Sequence, residues 1–300
     1  MNGVLVIDKP PGPTSHDVVV RIRRATETKR VGHTGTLDPI ASGVLPLVLG
    51  RAARLARFLG TSDKDYDALI KLGLETDTYD VTGRPTYGGF PQAVGQLSSE
   101  RIDEALREFR GSYLQAPPPF SAKRVAGTRA YRLARRGVPI QLPASAVSVS
   151  RLELSNFEGD LLRLRVTCSA GFYVRALAHE IGVRLGTGAC LQGLRRLRSG
   201  EFGLDGAVSL EAVERDAKVA DARLVPMSRL LNSLPGVTLT IRGARLAACG
   251  NLIGQADLAV PAGPFALATR VRLFDPQGQL IALAEPTGEP GVLHPLVVVV

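Results

Sequence analysis

The chain has 300 residues, of which 45% are hydrophobic and 22% charged, with a formal net charge of +9. That length supports a sizeable core and suggests one large domain plus a smaller one, and the composition excludes a disordered or fibrous protein. The positive balance points to a polyanionic partner.

Gly3 to Ile7 is an apolar run closed by Lys9-Pro10-Pro11-Gly12-Pro13, which predicts a buried strand and then a loop. Thr14 and Asp17 have capping-box spacing, and Val18 and Ile22 recur on one helical face, so a helix follows with Arg21 and Arg24 directed outward. Arg30 to Pro39 is short, polar and punctuated by glycine. Gly32 and Gly35 permit tight or left-handed backbone, and the Thr34 and Thr36 hydroxyls can tie the loop to its own backbone. Pro39 biases Asp38 toward extended geometry, which leaves one carboxylate on a stiff loop five residues after His33.

Gly43 to Gly50 reads as a strand, and Arg51, Arg54 and Arg57 follow it. Tyr66, Ala68, Ile70 and Leu72 alternate with Asp67, Leu69 and Lys71, an imperfect period of two that suggests a strand with Tyr66 at its start. Thr76 to Phe90 is a polar loop with its own acidic cluster. Ile102, Leu106 and Phe109 mark a helix ended by Gly111, and Ala116 to Phe120 is an extended linker. Leu162, Leu164 and Val166 predict a strand, and Leu177, Ile181 and Leu185 a helix stopped by Gly186. The best boundary is Leu234-Pro235-Gly236, beyond which short apolar runs predict a small all-β module.

Cys168, Cys190 and Cys249 have no Cys-x-x-Cys or zinc-ribbon spacing, so they are expected to be reduced, buried and structural. No apolar run reaches membrane-spanning length and no secretory leader is expected. Basic residues cluster before the key loop, around Lys123 to Arg136, and at Arg195, Arg196 and Arg198. Guanidinium groups suit forked phosphate contacts.

Gly32-His33-Thr34-Gly35-Thr36-Leu37-Asp38-Pro39 resembles the signature of the TruB type of bacterial tRNA pseudouridine synthases. Gly3 to Pro10 with Thr14 to Val19 resembles the family's opening block. Lys64-Asp65-Tyr66 with Thr76-Asp77-Thr78-Tyr79-Asp80 resembles the next, Cys168 to Arg175 a third, and Leu194-Arg195-Arg196 a fourth. The blocks keep their order over most of residues 1–210, which makes the resemblance specific.

The resemblance implies an α/β fold with a mixed, largely antiparallel central sheet flanked by helices and an active site in a basic cleft. It implies isomerisation of uridine 55 in the T-loop of tRNA: the glycosidic C–N bond breaks, the base turns, and it rejoins through carbon. Such chemistry asks for one carboxylate and for no metal, redox centre or cofactor. The sequence carries no zinc pattern, P-loop or GxGxxG fingerprint. Asp38 is the implied carboxylate, attacking sugar or base or taking a proton from the sugar. Arg175 is implied to pair with it, and Tyr66 to stack on the uracil and move the proton that leaves the base carbon. The target base must leave its stack, and His33 is implied to fill the vacated space.

Lys9 is expected to be structural or to face phosphate, and Arg124, Arg132 and Arg135 to grip phosphates. Arg124 and Arg54 stand where the family has Lys, and Glu180 where it often has Asp, which leaves individual RNA contacts open. The expected organisation is a catalytic domain over 1–234 and a PUA-like RNA-binding module over 235–300. The expected partner is tRNA through its T-arm, bound by a cytoplasmic monomer with no obligate protein partner. Two other readings stand beside this one: a basic protein that folds tRNA without catalysis, and a small-molecule enzyme with a glycine-rich phosphate loop. The first has no use for Asp38, Tyr66 and Arg175 together, and the second lacks Gly-Lys-Ser/Thr.

Overall fold

The computed structural model describes residues 1–86, 90–121, 123–125, 127–134, 136, 138, 142–260 and 269–300. The chain forms two compact units, one of Met1–Leu37, Val44–Gly60 and Glu201–Val300, the other of Asp38–Gly43 and Thr61–Gly200.

In the first unit, the strand Gly3–Lys9 is buried along almost its whole length, as its unbroken apolar run predicts. It pairs in parallel with Val208–Ser209 and antiparallel with Val225–Pro226. The helix Ser15–Ala25 starts at Thr14, where a capping box forms: the Asp17 amide donates to Thr14 Oγ1 at 3.1 Å and the Thr14 amide to Asp17 Oδ2 at 2.8 Å. Val18, Val19 and Ile22 line its buried face. Arg24 faces outward as expected, whereas Arg21 is engaged by Glu214 in a forked pair.

The C-terminal strands Gly236–Thr238, Val271–Phe274, Leu280–Pro286 and Leu293–Val298 form a small sheet in that order, the first pair parallel and the rest antiparallel. Leu280, Leu283 and Val299 share a core with Val4, Val48 and Leu55 of the same unit. A helix, Ile241–Ala248, capped by the Thr240 hydroxyl, packs Ala247 beside Val271, Leu273 and Ala282. The β-like composition had given no sign of it.

In the second unit a sheet runs in the order Ala41–Gly43, Ala189–Ser199, Lys64–Leu72, Leu161–Cys168, Ser145–Glu158, Gly111–Gln115. Only its first pair is parallel, and the remaining pairs are antiparallel. Tyr66, Ala68, Ile70 and Leu72 are all buried, as the alternation predicts. The helices Ser99–Arg107 and Val174–Leu185 bury Ile102 and Leu106, and Leu177 and Ile181, respectively. Gly186 caps the second at φ 72°, the expected stop.

Four expectations need correction. Cys168 and Cys190 are buried as expected, but Cys249, just past the helix Ile241–Ala248, is exposed. The helix containing Ile102 and Leu106 ends at Arg107, not at Gly111; Gly111, at φ 82°, opens the next strand instead. Gly32 and Gly35 do not use left-handed backbone, because Gly32 lies in the strand Val31–His33, opposite Val48. The Thr34 hydroxyl is buried without a partner among the described residues. Ser15 ties the loop down instead: its Oγ donates to Leu37 O at 3.0 Å and accepts from the Leu37 amide at 2.8 Å.

Candidate active site

Asp38 sits between Leu37, held by Ser15, and a turn closed by the Ala41 amide donating to Asp38 O at 3.0 Å. Its carboxylate meets Arg175, the second residue of the helix Val174–Leu185. Arg175 Nε donates to Asp38 Oδ2 at 2.8 Å and Nη2 to Oδ1 at 3.1 Å, a forked pair across 137 residues of sequence. Two further guanidinium hydrogens go to carbonyls: Nη1 to Thr78 O at 2.8 Å, Nη2 to Phe120 O at 3.0 Å. Asp80 Oδ2 lies 3.8 Å from Arg175 Nε. The Arg175 side chain is 6% exposed and that of Asp38 34%, so the cation is sealed behind a carboxylate that still reaches solvent. Four hydrogen bonds on a buried guanidinium make a rigid mount, and the pair is oriented before any ligand arrives.

Asp80 is itself held in place. Its Oδ1 accepts from Thr78 Oγ1 at 3.0 Å, from the Thr82 amide at 3.0 Å and from Thr82 Oγ1 at 2.5 Å. The arginine therefore answers two carboxylates, one buried and one accessible.

Tyr66 is buried and paired in register with Arg196 on the neighbouring strand. Burial pushes its hydroxyl above the ordinary tyrosine range, a hydrogen bond from buried Arg196 opposes this, and the charge of Asp38 adds to it. The side chain is thus a neutral phenol in the electrostatic field of Asp38. Tyr173, just before Arg175, is also raised, chiefly by burial, with a hydrogen bond to Ser121 opposing. Its backbone is clamped by Gln115: the Tyr173 amide donates to Oε1 at 2.9 Å, and Nε2 donates to Tyr173 O at 3.1 Å.

The second unit thus brings together three of the residues singled out in the sequence: Asp38, Tyr66 and Arg175. His33 and Lys9 belong to the first unit. His33 is half-buried at the end of the strand Val31–His33, opposite Leu47. Lys9 is fully buried and donates to Pro10 O at 2.9 Å. Arg132 is exposed on the short helix Ala130–Ala134. Arg124 pairs through its backbone with Arg129, its side chain lying outside the described residues, as Arg135 does entirely. Asp80 was named only within a block that resembles the family, and Arg196, grouped with a basic cluster expected to grip phosphate, is instead buried. Among the described residues no cluster of His, Cys, Asp and Glu is arranged to hold a metal.

Residues 23–174 match the model of the TruB family pseudouridylate synthase N-terminal domain, and residues 175–232 that of the tRNA pseudouridylate synthase B C-terminal domain. The chain is 45% identical to tRNA pseudouridine synthase B of Solibacter usitatus, covering 99% of this chain and 100% of that one. It is 39% identical to the protein of the same name from Bacillus pumilus, covering 94% and 92%. Among solved structures, it is similar to one described as a Cbf5-Nop10-Gar1 complex, with a TM-score of 0.74 and 27% identity over 99% of this chain and 85% of that one. A structure described as an H/ACA RNP bound to a substrate RNA containing 2'-deoxyuridine matches with a TM-score of 0.73 and 26% identity, over 99% and 85%. With family models spanning residues 23–232 and relatives this close over nearly all of its length, the chain belongs to the TruB family of pseudouridylate synthases.

Proposed function

We propose that this chain converts uridine 55 in the T-loop of tRNA to pseudouridine, with Asp38 as the reacting carboxylate. The observation that carries the reading is the forked grip of buried Arg175 on accessible Asp38. A surface built only to hold phosphate has no use for a carboxylate so mounted. The names of the relatives, tRNA pseudouridine synthase B, supply the RNA class.

Asp38 either attacks the sugar or base or takes a proton from the sugar. In each route the glycosidic C–N bond breaks, the uracil is retained, and a carbon–carbon bond forms as that base carbon gives up its proton. Tyr66 stacks on the uracil, and its hydroxyl takes part in moving that proton. The base reacts outside its stack, and His33 fills the space it leaves. Lys9 supports the site from inside the fold, while Arg124, Arg132 and Arg135 contact phosphates. Residues 1–234 act as the catalytic domain and 235–300 as a PUA-like RNA-binding module, in a cytoplasmic monomer that needs no protein partner.

A single-turnover assay on a T-loop hairpin, reading pseudouridine at each uridine, tests the proposal. The parent protein is expected to modify position 55 alone, and Asp38→Asn to bind the hairpin and leave it unmodified. Turnover by the purified Asp38→Asn protein ends the assignment of Asp38. Modification at another uridine ends the assignment of the position, and binding without modification by the parent favours a tRNA-folding role.

A further inference from the structure

Tyr79 adopts φ 64°, a left-handed backbone that a side-chain-bearing residue rarely takes. Its ring lies flat on His179, with centroids 4.0 Å apart and planes 2° from parallel. Tyr79 is flanked by two groups that hold Arg175: Thr78, whose carbonyl accepts from Nη1 at 2.8 Å, and Asp80, whose carboxylate lies 3.8 Å from Nε. His179 is four residues after Arg175, one turn along the same helix. The stack therefore joins the helix that carries the arginine to the turn that receives it.

The tyrosine end of this joint is anchored, since Tyr79 O accepts from the Leu191 amide at 2.9 Å. His179 Nδ1 is buried 2.9 Å from Glu75 Oε1 but makes no hydrogen bond among the described residues, so the ring face is its hold on the turn. From these contacts we infer that Tyr79 and His179 are positioning residues for the reaction, holding the Thr76–Thr82 turn so that Arg175 keeps its fork on Asp38. The inference rests on the proposed role of Asp38. Without the stack, the ring no longer helps to hold Tyr79 at positive φ. Relaxation swings the Thr78 carbonyl and the Asp80 carboxylate away from the guanidinium. Neither ring touches the reacting atoms; each acts through Arg175. Burial pushes His179 below the ordinary histidine range, with Glu75 opposing, so the stack is between two neutral rings at neutral pH.

The test uses the full chain and a T-loop hairpin, with the single-turnover rate at saturating RNA measured beside the RNA dissociation constant. Tyr79→Ala and His179→Ala are expected to slow the chemical step roughly tenfold to a hundredfold, the scale of a small misplacement, while the dissociation constant stays near the parent's. Tyr79→Phe and His179→Phe keep a ring for stacking and are expected to stay near the parent rate. Tyr79→Gly tolerates the left-handed backbone but lacks the ring and is equally free to leave that region, so it should fold and still be slow. Tyr79→Ala should add little to the defect of Asp80→Asn, because both act through one guanidinium.

Parent-like rates in folded Tyr79→Gly and His179→Ala overturn the inference, and so does weakened RNA binding at an unchanged rate. Slow phenylalanine variants overturn it as well, since they would assign the effect to the hydroxyl or the imidazole nitrogens. If Asp38→Asn is inactive while the stack variants run at full rate, only this inference falls. Activity in Asp38→Asn brings down the proposed function itself.

Discussion

Arg175 makes four hydrogen bonds from a side chain that is 6% exposed, and removing it strands Asp80, whose own side chain is 8% exposed. Losing one partner of a buried ion pair costs about 3–5 kcal/mol. Arg175→Ala is therefore expected to lower stability on that scale in urea unfolding, and Arg175→Lys to fold better but react slowly, having no fork for Asp38. An alanine variant as stable as the parent would show that Asp80 finds another partner. Glu180, on the same helix, has a carboxyl that burial pushes up from 4.5 to about 7. Burial raises the nearby Tyr79 and Tyr113 hydroxyls, and the charge of Glu180 adds to both, after that of Glu75 for Tyr79. The folded state holds this proton more tightly than the unfolded chain does. Stability from Glu180 is thus complete below its unfolded pKa and lost as pH rises through about 7. Glu180→Gln should match the parent's melting temperature near about pH 4 and exceed it near about pH 8. A constant gap between the two proteins at both values removes this assignment.

At the scale of elements, Gly43 decides how two strands meet. It takes φ 101°, and a Cβ there would stand 2.1 Å from Arg196 O. Gly43→Ala forces apart the parallel pair that carries Arg196, the residue bonded to Tyr66. The expected cost is about 1 kcal/mol or more, with a fall in single-turnover rate beyond what reduced folding explains. Equal stability and rate would mean the strand pair shifts freely. The strand Ala189–Ser199 was hidden in the sequence for a physical reason. Leu191, Leu194 and Leu197 recur every third residue, which reads as a helix, and bulges at Leu191/Gly193 and Arg196/Arg198 break the period of two. The strand Lys64–Leu72 was legible because its alternation is broken only by Leu69, and the helix Val174–Leu185 because Leu177, Ile181 and Gly186 punctuate it.

Over the whole molecule, a net charge of +9 makes RNA affinity a function of salt. Affinity for a T-loop hairpin should fall steeply with added salt, and Arg132→Ala should reduce the slope by about one in a log–log plot. An unchanged slope removes Arg132 from the phosphate contacts. The C-terminal sheet has a structural task as well, since Leu280, Leu283 and Val299 share a core with Val4, Val48 and Leu55. Deleting residues 234–300 should cost on the order of 5 kcal/mol, from three large apolar side chains lost to the core. A truncated chain as stable as the full one would show that the N-terminal strands close over that face.

Composition, caps and strand alternation marked elements and a basic surface, whereas Asp38, Tyr66, Arg175 and the mixed sheet with flanking helices were named by the resemblance of the ordered blocks to the TruB family. The first signals depend on neighbours a few residues away, or on charge summed over the chain, so they are written in the sequence itself. What decided the site was chain closure. It set Asp38 against a residue 137 positions distant, brought Asp80 to the same guanidinium, and put Arg196 in register with Tyr66. Burial, which seals Arg175 and keeps the Tyr66 hydroxyl protonated, arises only when those distant segments pack and exclude water. No local pattern encodes that exclusion, and for that reason Asp80 and Arg196 emerged only from the tertiary structure.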